Sequence, residues 1–141
     1  MKPHTFAVCA YRDSPYLEAC IRSLKGQSVP TDIILCTSTP SPYIMDMADK
    51  YGIPVHVREG KSRIMDDWNF AYHMADSRFV TIAHQDDMYQ KDYVKLLLES
   101  WKRYPDMTLF TGETNPARYI YQSAGFKIVK TWSDMEKVIK K

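Results

Sequence analysis

Short apolar runs alternate with helix-like patterns along the chain, and this alternation constrains the fold more than any other feature. The runs occupy residues 5–10, 33–36, 55–57, 79–83 and 107–111. None of them has a polar face, which is typical of strands buried on both sides of a parallel sheet. Such strands, separated by helices and joined by right-handed crossovers, predict a mostly parallel, doubly wound sheet in a three-layer α/β/α sandwich.

Serine–proline pairs and glycines mark the ends of the first two predicted helices. Ser14 and Ser41 are each followed by proline, the pattern of an N-cap with proline at the first helical position. Gly26 and Gly52 follow the last apolar residues of these helices, and glycine is the usual residue after a helix C-terminus.

Apolar spacing predicts a third helix over residues 64–75 and a fourth over residues 90–103. The side chains expected to face the core are Trp68, Ala71 and Ala75 in the third helix and Val94, Leu97, Leu98 and Trp101 in the fourth. Farther on, the pattern predicts a helix at residues 115–124, a strand at residues 126–131 and a last short helix opened by the capping box Ser133 to Glu136. We expect one domain, in which residues 1–113 bind the ligand and residues 114–141 complete the sheet.

Charge and composition narrow the functional classes. The net charge is +2, and the basic residues are scattered, so a dedicated nucleic-acid binder is not expected. No apolar stretch approaches the about 20 residues of a membrane span. The three cysteines have no metal-ligand spacing, and an odd count without a signal peptide fits a reducing compartment. We therefore expect a cytoplasmic protein.

Polar segments follow each apolar run, and ligands of open parallel sheets bind beyond the carboxyl ends of the strands, where the strand order reverses. Asp86 and Asp87 stand out, because two adjacent carboxylates follow a fully apolar strand, with His84 two residues ahead of Asp86. Mg²⁺ or Mn²⁺ accepts one or two carboxylates together with phosphate oxygens and water. The alternative interpretation is that one of these aspartates only caps the next helix.

Four segments together resemble the nucleotide-binding half of a family 2 glycosyltransferase of GT-A fold, over residues 5–113. They are TFAVCAYRDSPYLEACIRSLKGQSVP, IILCTSTPSP, GKSRIMDDWNFAYHMA and FVTIAHQDDMY. In that family they correspond to the first strand, loop and helix, the second strand and its turn, the glycine-led third helix, and the Asp-x-Asp motif that ends the fourth strand. The resemblance implies a nucleotide-sugar donor, with uridine diphosphate the leading candidate, and a divalent cation.

The same resemblance assigns roles to individual positions. Asp86, with Asp87 beside it, would hold the metal, and His84 stands in place of the first aspartate of the motif, which faces the ribose. The residues implied to contact the nucleotide are Tyr11, Asp13, Thr37, Ser38, Asn69 and His84. Lys61 or Arg63 would reach a phosphate, although a solvated basic side chain is the simpler interpretation. The acceptor and the general base are not implied by any residue of this chain.

The segment after Glu113 leads to two alternatives. In the family, the general base and most acceptor contacts follow the fifth strand, and residues 114–141 carry no second acidic constellation. A remnant or an engineered, chimeric scaffold without turnover is therefore one alternative. The stretch NPARYIYQSAGFKIVKTW resembles the end of GNAT acyltransferases, through Asn115, Tyr119 or Tyr121, Gly125 and Phe126. An acetyl-CoA-dependent acyltransferase is thus the third hypothesis, although no pyrophosphate-binding turn precedes this stretch. The simpler interpretation of the stretch is a capped helix and a strand that complete the sheet. We also expect a homodimer that buries apolar surface at a two-fold interface.

Overall fold

A computed structural model describes residues 3–103 of the 141-residue chain, which lie within one compact unit, Met1–Pro105. The strands are β1 (His4–Ala10), β2 (Asp32–Thr37), β3 (Val55–Val57) and β4 (Phe79–His84). The helices are α1 (Leu17–Lys25), α2 (Pro42–Lys50), α3 (Ile64–Met74) and α4 (Tyr93–Arg103). The elements predicted beyond residue 103, including the strand at 107–111 and the helix at 115–124, lie outside the described residues.

All the strand pairs in this region are parallel, and the sheet order is β3-β2-β1-β4. The chain therefore moves outward from β1 to β3 and then crosses back to pair β4 with the other side of β1. Strand order reverses between β1 and β4, which is where the ligand crevice of such a sheet is expected. The predicted α/β class, the parallel sheet and its layers are confirmed.

Two hydrophobic clusters cover the two faces of the sheet. On one face, Phe6 and Val8 of β1 pack with the apolar sides of α1, α2 and α4. On the other face, Ala7 of β1 packs with Ile34 and with Ala71 of α3. Because side chains alternate along a strand, β1 supplies both clusters and is buried on both sides. The sheet thus forms the middle layer, with α3 alone on its second face among the described helices.

The helix boundaries match the sequence signals at α2 and differ at α1. Ser41 caps α2 through its hydroxyl oxygen, which accepts from the Ile44 amide at 3.2 Å, and Pro42 follows at the first helical position. The predicted N-cap Ser14 is wrong. Helix α1 begins at Leu17, and the Ser14 hydroxyl accepts instead from the Tyr16 amide at 3.3 Å, so the serine and proline form a turn ahead of the helix.

The core predictions for α3 and α4 are partly confirmed. Ala71 and Val94 are fully buried, and Ala75 and Leu98 pack at the edges of the two clusters. Trp68 is 39% exposed, so its predicted place in the core is wrong. Helix α4 begins at Tyr93 rather than at residue 90, and Gln27 supplies the capping contact to its first turn. Within residues 3–103, no helix has the length and apolar composition needed to cross a membrane.

A buried polar network ties the amino ends of the strands together. His4 is fully buried, and its Nδ1 and Nε2 lie 2.7 Å from the Thr31 hydroxyl and 2.8 Å from the Thr81 hydroxyl. Burial lowers the pKa of His4 to about 4, because the charged ring would lose its hydration. The histidine is therefore neutral in the folded protein at physiological pH.

We predict that acid weakens the fold through His4. The unfolded state binds a proton near pH 6.5 and the folded state only near 4, so the stabilisation is complete above pH 6.5 and is lost as the pH falls toward 4. At roughly 1.4 kcal/mol per pKa unit, the loss is about 3 kcal/mol. Urea unfolding of wild type and His4→Gln at pH 7 and pH 5 measures the part lost over that interval, which is about 2 kcal/mol. Equal pH dependence in the two proteins would contradict the assignment to His4.

Candidate functional site at the carboxyl edge of the sheet

The turn that carries Asp86 and Asp87 follows β4 directly and is anchored on both sides. The Asp87 amide donates to the His84 carbonyl at 3.1 Å. After the turn, Tyr89 returns to the core, where its ring lies 5.1 Å from that of Phe6 and its amide donates to the Ser23 hydroxyl at 3.1 Å. Both aspartates are exposed, so a short, fixed turn presents two carboxylates at the edge of the sheet.

Neither aspartate caps α4. The amide of Val94, in the first turn of this helix, donates to Gln27 Oε1 at 3.0 Å, and Gln27 Nε2 donates to the Gln90 carbonyl at 2.8 Å. The glutamine after α1 therefore supplies the capping contact, and α4 begins six residues after Asp87. Within residues 3–103, no side-chain hydrogen bond or ion pair engages either carboxylate. The capping interpretation of the aspartates is wrong.

The two carboxylates create a negative potential that nearby buried groups report. Burial and then the charges of Asp87 and Asp86 raise the pKa of the Cys20 thiol to about 12. Burial and then the charge of Asp87 raise the pKa of Tyr89 to about 12. Because no side chain within residues 3–103 forms an ion pair with Asp86 or Asp87, this potential remains available to attract a positive ion.

Asp86 and Asp87 can supply part of the coordination sphere of a hard cation. Among residues 3–103, no cluster of three or more His, Cys, Asp or Glu side chains could enclose a metal. Two adjacent carboxylates leave most coordination positions to other oxygen ligands, which is how proteins hold Mg²⁺ together with phosphate oxygens and water. The donor set of Asp86 and Asp87 therefore suits a cation that arrives with a phosphorylated ligand better than a resident structural metal.

Gln85 joins the two strands at the point where strand order reverses. Its Oε1 accepts from the Tyr11 amide at 3.1 Å, and its Nε2 donates to the Tyr11 carbonyl at 2.8 Å. The side-chain amide thus replaces a backbone partner beyond the end of β4 and fixes the loop after β1 against the acidic turn. No sequence signal predicts the role of Gln85, since one glutamine between a histidine and two aspartates forms no distinguishing pattern.

The loop after β1 is held in an unusual conformation. Arg12 has φ 55°, a left-handed conformation that costs a non-glycine residue roughly 1–2 kcal/mol. Its amide donates to the Thr39 hydroxyl at 2.7 Å, and Asp13 accepts from the Ser41 hydroxyl at 2.5 Å. The loops after β1 and β2 are therefore bound to each other, and Asp13 is oriented by the residue that caps α2.

A second cluster organises the loop after β3. Arg58 Nε donates to Asp67 Oδ1 at 2.7 Å, and its terminal nitrogens donate to the carbonyls of Glu59 at 3.0 Å and Lys61 at 2.6 Å. Gly60, with φ 96°, permits this tight loop. Burial alone would raise the pKa of Asp67, but hydrogen bonds from Arg58, Ser62 and Ser38 outweigh it and lower that pKa.

The remaining predicted nucleotide-binding residues differ in burial and in the groups they contact. Thr37 is buried, and its hydroxyl accepts from the Thr39 amide at 3.0 Å, so it shapes the loop. Ser38 bonds Asp67, and His84 is half-buried with its ring against Trp68. Asn69 is exposed on α3. Tyr11 and His84 thus lie at the carboxyl edge, and the nucleotide contacts of all six residues stay predictions: Tyr11, Asp13, Thr37, Ser38, Asn69 and His84.

The cysteines behave as buried apolar groups. Cys20 and Cys36 are buried and Cys9 is half-buried, all as free thiols. Burial raises the pKa of Cys9 to about 11 and that of Cys36 to about 12, so neither forms a thiolate near neutral pH. A nucleophilic role for them is not supported.

Comparison with protein families decides the assignment. The model of glycosyl transferase family 2 matches residues 5–132. The chain belongs to glycosyl transferase family 2. The match includes the segment that resembles the acyltransferases, from Asn115 onward, so the family pattern extends well beyond the nucleotide-binding half expected from the sequence. No curated protein sequence matches this chain significantly.

Solved structures support the same fold for this family 2 chain. S. aureus TarS is 17% identical, with a TM-score of 0.63 over 82% of this chain and 23% of TarS. TarS 1–349 in complex with UDP has the same identity and TM-score over 82% of this chain and 38% of its own. The mannosyltransferase PcManGT from Pyrobaculum calidifontis, in complex with GDP-Man and Mn²⁺, is 16% identical, with a TM-score of 0.51 over 62% of this chain and 28% of its own. This chain therefore spans 23–38% of the length of these neighbours.

We predict that Gln85 maintains the contact between β1 and β4. Gln85→Ala removes both bonds to Tyr11 and should lower the free energy of unfolding by about 0.5–1.5 kcal/mol, with faster hydrogen exchange at the Tyr11 amide. Gln85→Glu keeps the acceptor and should preserve that amide's protection. Gln90→Ala, at an exposed side chain nearby, is the control. Unchanged exchange in Gln85→Ala would show that this pair of hydrogen bonds between Gln85 and Tyr11, the Gln85 clamp, is not formed.

We predict that Arg58 is irreplaceable by lysine. Lysine keeps the charge but cannot direct donors at Asp67, Glu59 and Lys61 together, so Arg58→Lys should lower the free energy of unfolding by about 1–3 kcal/mol. The matched change at an exposed neighbour, Arg63→Lys, should stay within about 0.5 kcal/mol. Denaturant unfolding of both variants tests this, and equal stabilities would refute it.

Proposed function

We propose that the carboxyl edge of this sheet binds a nucleotide-diphosphate sugar, with uridine diphosphate as the leading nucleotide, together with Mg²⁺ or Mn²⁺. The observation that carries the proposal is the turn at Asp86 and Asp87, which presents two unengaged carboxylates beside the reversal point of a family 2 sheet. The UDP complex of TarS and the complex of the mannosyltransferase with GDP-Man and Mn²⁺ support this ligand class.

Each residue of the proposed donor site would have its own role. Asp86 and Asp87 would hold the cation, and the Gln85 clamp keeps the Tyr11 loop beside them. His84, one residue before this clamp, would offer a ring nitrogen to a ribose hydroxyl. When bound, Mg²⁺ or Mn²⁺ supplies the positive charge that stabilises a departing diphosphate. Lys61 and Arg63 are exposed, and Arg58, which is committed to its own loop, would not contact a phosphate.

The proposed reaction is transfer of a hexose from this donor to an acceptor whose identity the chain does not indicate. The bond between the hexose and the diphosphate breaks, and the nucleotide diphosphate leaves. A general base removes the proton of an acceptor hydroxyl, whose oxygen forms the new bond to the hexose. The alternative is a domain that binds the donor without turnover, as a remnant or a chimeric scaffold would. Release of UDP from a UDP-hexose in the presence of Mn²⁺ distinguishes the two.

The remaining expectations stay proposals. The free thiols of Cys9, Cys20 and Cys36 support a reducing compartment, and nucleotide sugars are available in the cytoplasm, so we propose that location. Homodimerisation stays a prediction, and the exposed apolar side chains Ile64 and Met65 of α3 are surface that it would bury. The acyltransferase hypothesis would be supported only by saturable binding of acetyl-CoA.

We predict that Asp86→Asn weakens Mn²⁺-dependent binding of UDP or GDP by at least tenfold, because a neutral amide replaces a metal-binding carboxylate of nearly the same shape. Tenfold corresponds to about 1.4 kcal/mol. Isothermal titration calorimetry with each nucleotide, with and without Mn²⁺, measures the effect. Asp46→Asn, an exposed aspartate on α2, is the matched control.

The outcomes separate the possibilities. Binding lost in Asp86→Asn and kept in Asp46→Asn supports the donor site. Equal affinities in wild type and Asp86→Asn would overturn the role of Asp86. If the wild type binds neither nucleotide, the donor site itself is refuted, and the family membership describes ancestry of the fold.

A further inference from the structure

Trp68 is the largest side chain near the carboxyl edge that the proposed donor site does not yet use. Helix α3 faces the sheet through Ala71, which is fully buried, whereas Trp68 is 39% exposed. The indole ring lies against His84, with a distance of 5.0 Å between ring centroids and an interplanar angle of 50°. An indole that rests on the last residue of β4 and remains partly open to solvent is positioned to contact a ligand.

The alternation of side chains along β1 relates the position of Tyr11 to the face of the sheet that α3 covers. Cys9 of β1 pairs in register with His84 of β4, and Cys9 packs in the cluster on the α3 face. Side chains two residues apart on an extended chain point to the same face. Continued one residue past the end of β1, this alternation would direct Tyr11 toward the face on which Trp68 contacts His84.

Tyr11 is also held and partly exposed. Both of its backbone groups are bonded to the side chain of Gln85, and the Arg12 guanidinium lies 5.0 Å from the centroid of its ring. The Tyr11 side chain is 47% exposed. Two partly exposed aromatic side chains thus lie near the carboxyl ends of β1 and β4, Tyr11 on the loop held by Gln85 and Trp68 on α3 against His84.

We propose that Trp68 is a base-binding residue that stacks on the nucleobase of the donor, opposite Tyr11. The inference rests on the proposed function, because it presupposes a nucleotide at this edge. Aromatic side chains bind the faces of nucleobases with little preference among them, so Trp68 provides affinity for the base as a class. Discrimination between uracil and guanine would then depend on the polar groups around the slot.

Affinity measurements test the role of the ring. Trp68→Leu keeps an apolar side chain but removes the aromatic face, and it should raise the Kd for UDP with Mn²⁺ about tenfold. Trp68→Phe keeps a ring and should change that Kd by less than about threefold. Ribose 5-phosphate lacks a base. Its Kd in the presence of Mn²⁺ should therefore be equal in wild type and in Trp68→Leu.

Fluorescence supplies an independent measurement. A nucleobase stacked on the indole should quench its emission, so UDP should quench wild type and Trp101→Phe but not Trp68→Phe. Trp101 is the matched control, because it packs against Arg78 and Phe79 and not at the carboxyl edge.

Each contrary result has a distinct meaning. Unchanged UDP affinity in Trp68→Leu, or equal weakening of UDP and ribose 5-phosphate, would overturn base stacking, the latter in favour of a structural role for Trp68. Loss of affinity for a UDP-hexose but not for UDP would overturn it in favour of a sugar contact. Failure of wild type to bind any nucleotide refutes the proposed function itself, which is a different result from an effect confined to Trp68.

Discussion

Strand β4 pairs with β1 and not with β3, so the chain must cross the sheet between β3 and β4. A right-handed crossover in that direction requires α3 to lie on the face opposite to α1 and α2. The first half of α3 is thereby placed above the carboxyl ends of the strands, where Asp67 meets the loop after β3 and Trp68 meets His84. Because the strands are parallel, the loops after β1, β2, β3 and β4 share this edge, and the crossover adds the first half of α3 to them.

Side chains, rather than backbone ladders, hold this edge together once the strands end. Gln85 bonds both backbone groups of Tyr11 in the loop after β1, and Arg58 bonds Asp67 and two carbonyls of its own loop. Planar amides and guanidinium groups suit this task because they donate or accept in fixed directions. The loops are consequently defined by contacts distant in sequence, which is a form of preorganisation for a ligand that binds across them.

The strands could be predicted closely because their signal is local. Residues buried on both faces of a sheet must be continuously apolar, and the runs at residues 5–10 and 79–83 match β1 and β4 to within one residue. The start of α4 could not be predicted, because its capping contact comes from Gln27, 67 positions before Val94. Trp68 was misassigned because helical periodicity identifies apolar side chains but cannot distinguish those facing the core from those facing a crevice. The acidic turn could be predicted because two adjacent carboxylates directly follow an apolar strand, whereas the bonds of Gln85 beside it depend on geometry.

Because Gln27 caps α4, the stability of this helix and the ligand chemistry of the acidic turn depend on different residues. If Asp86 or Asp87 had capped the helix, each substitution there would have altered folding and ligand chemistry together. As it is, the fold places little constraint on these positions, and the acidic turn is free to diversify. In the proposed donor site, the preference for a cation can therefore change through single substitutions while the scaffold stays intact.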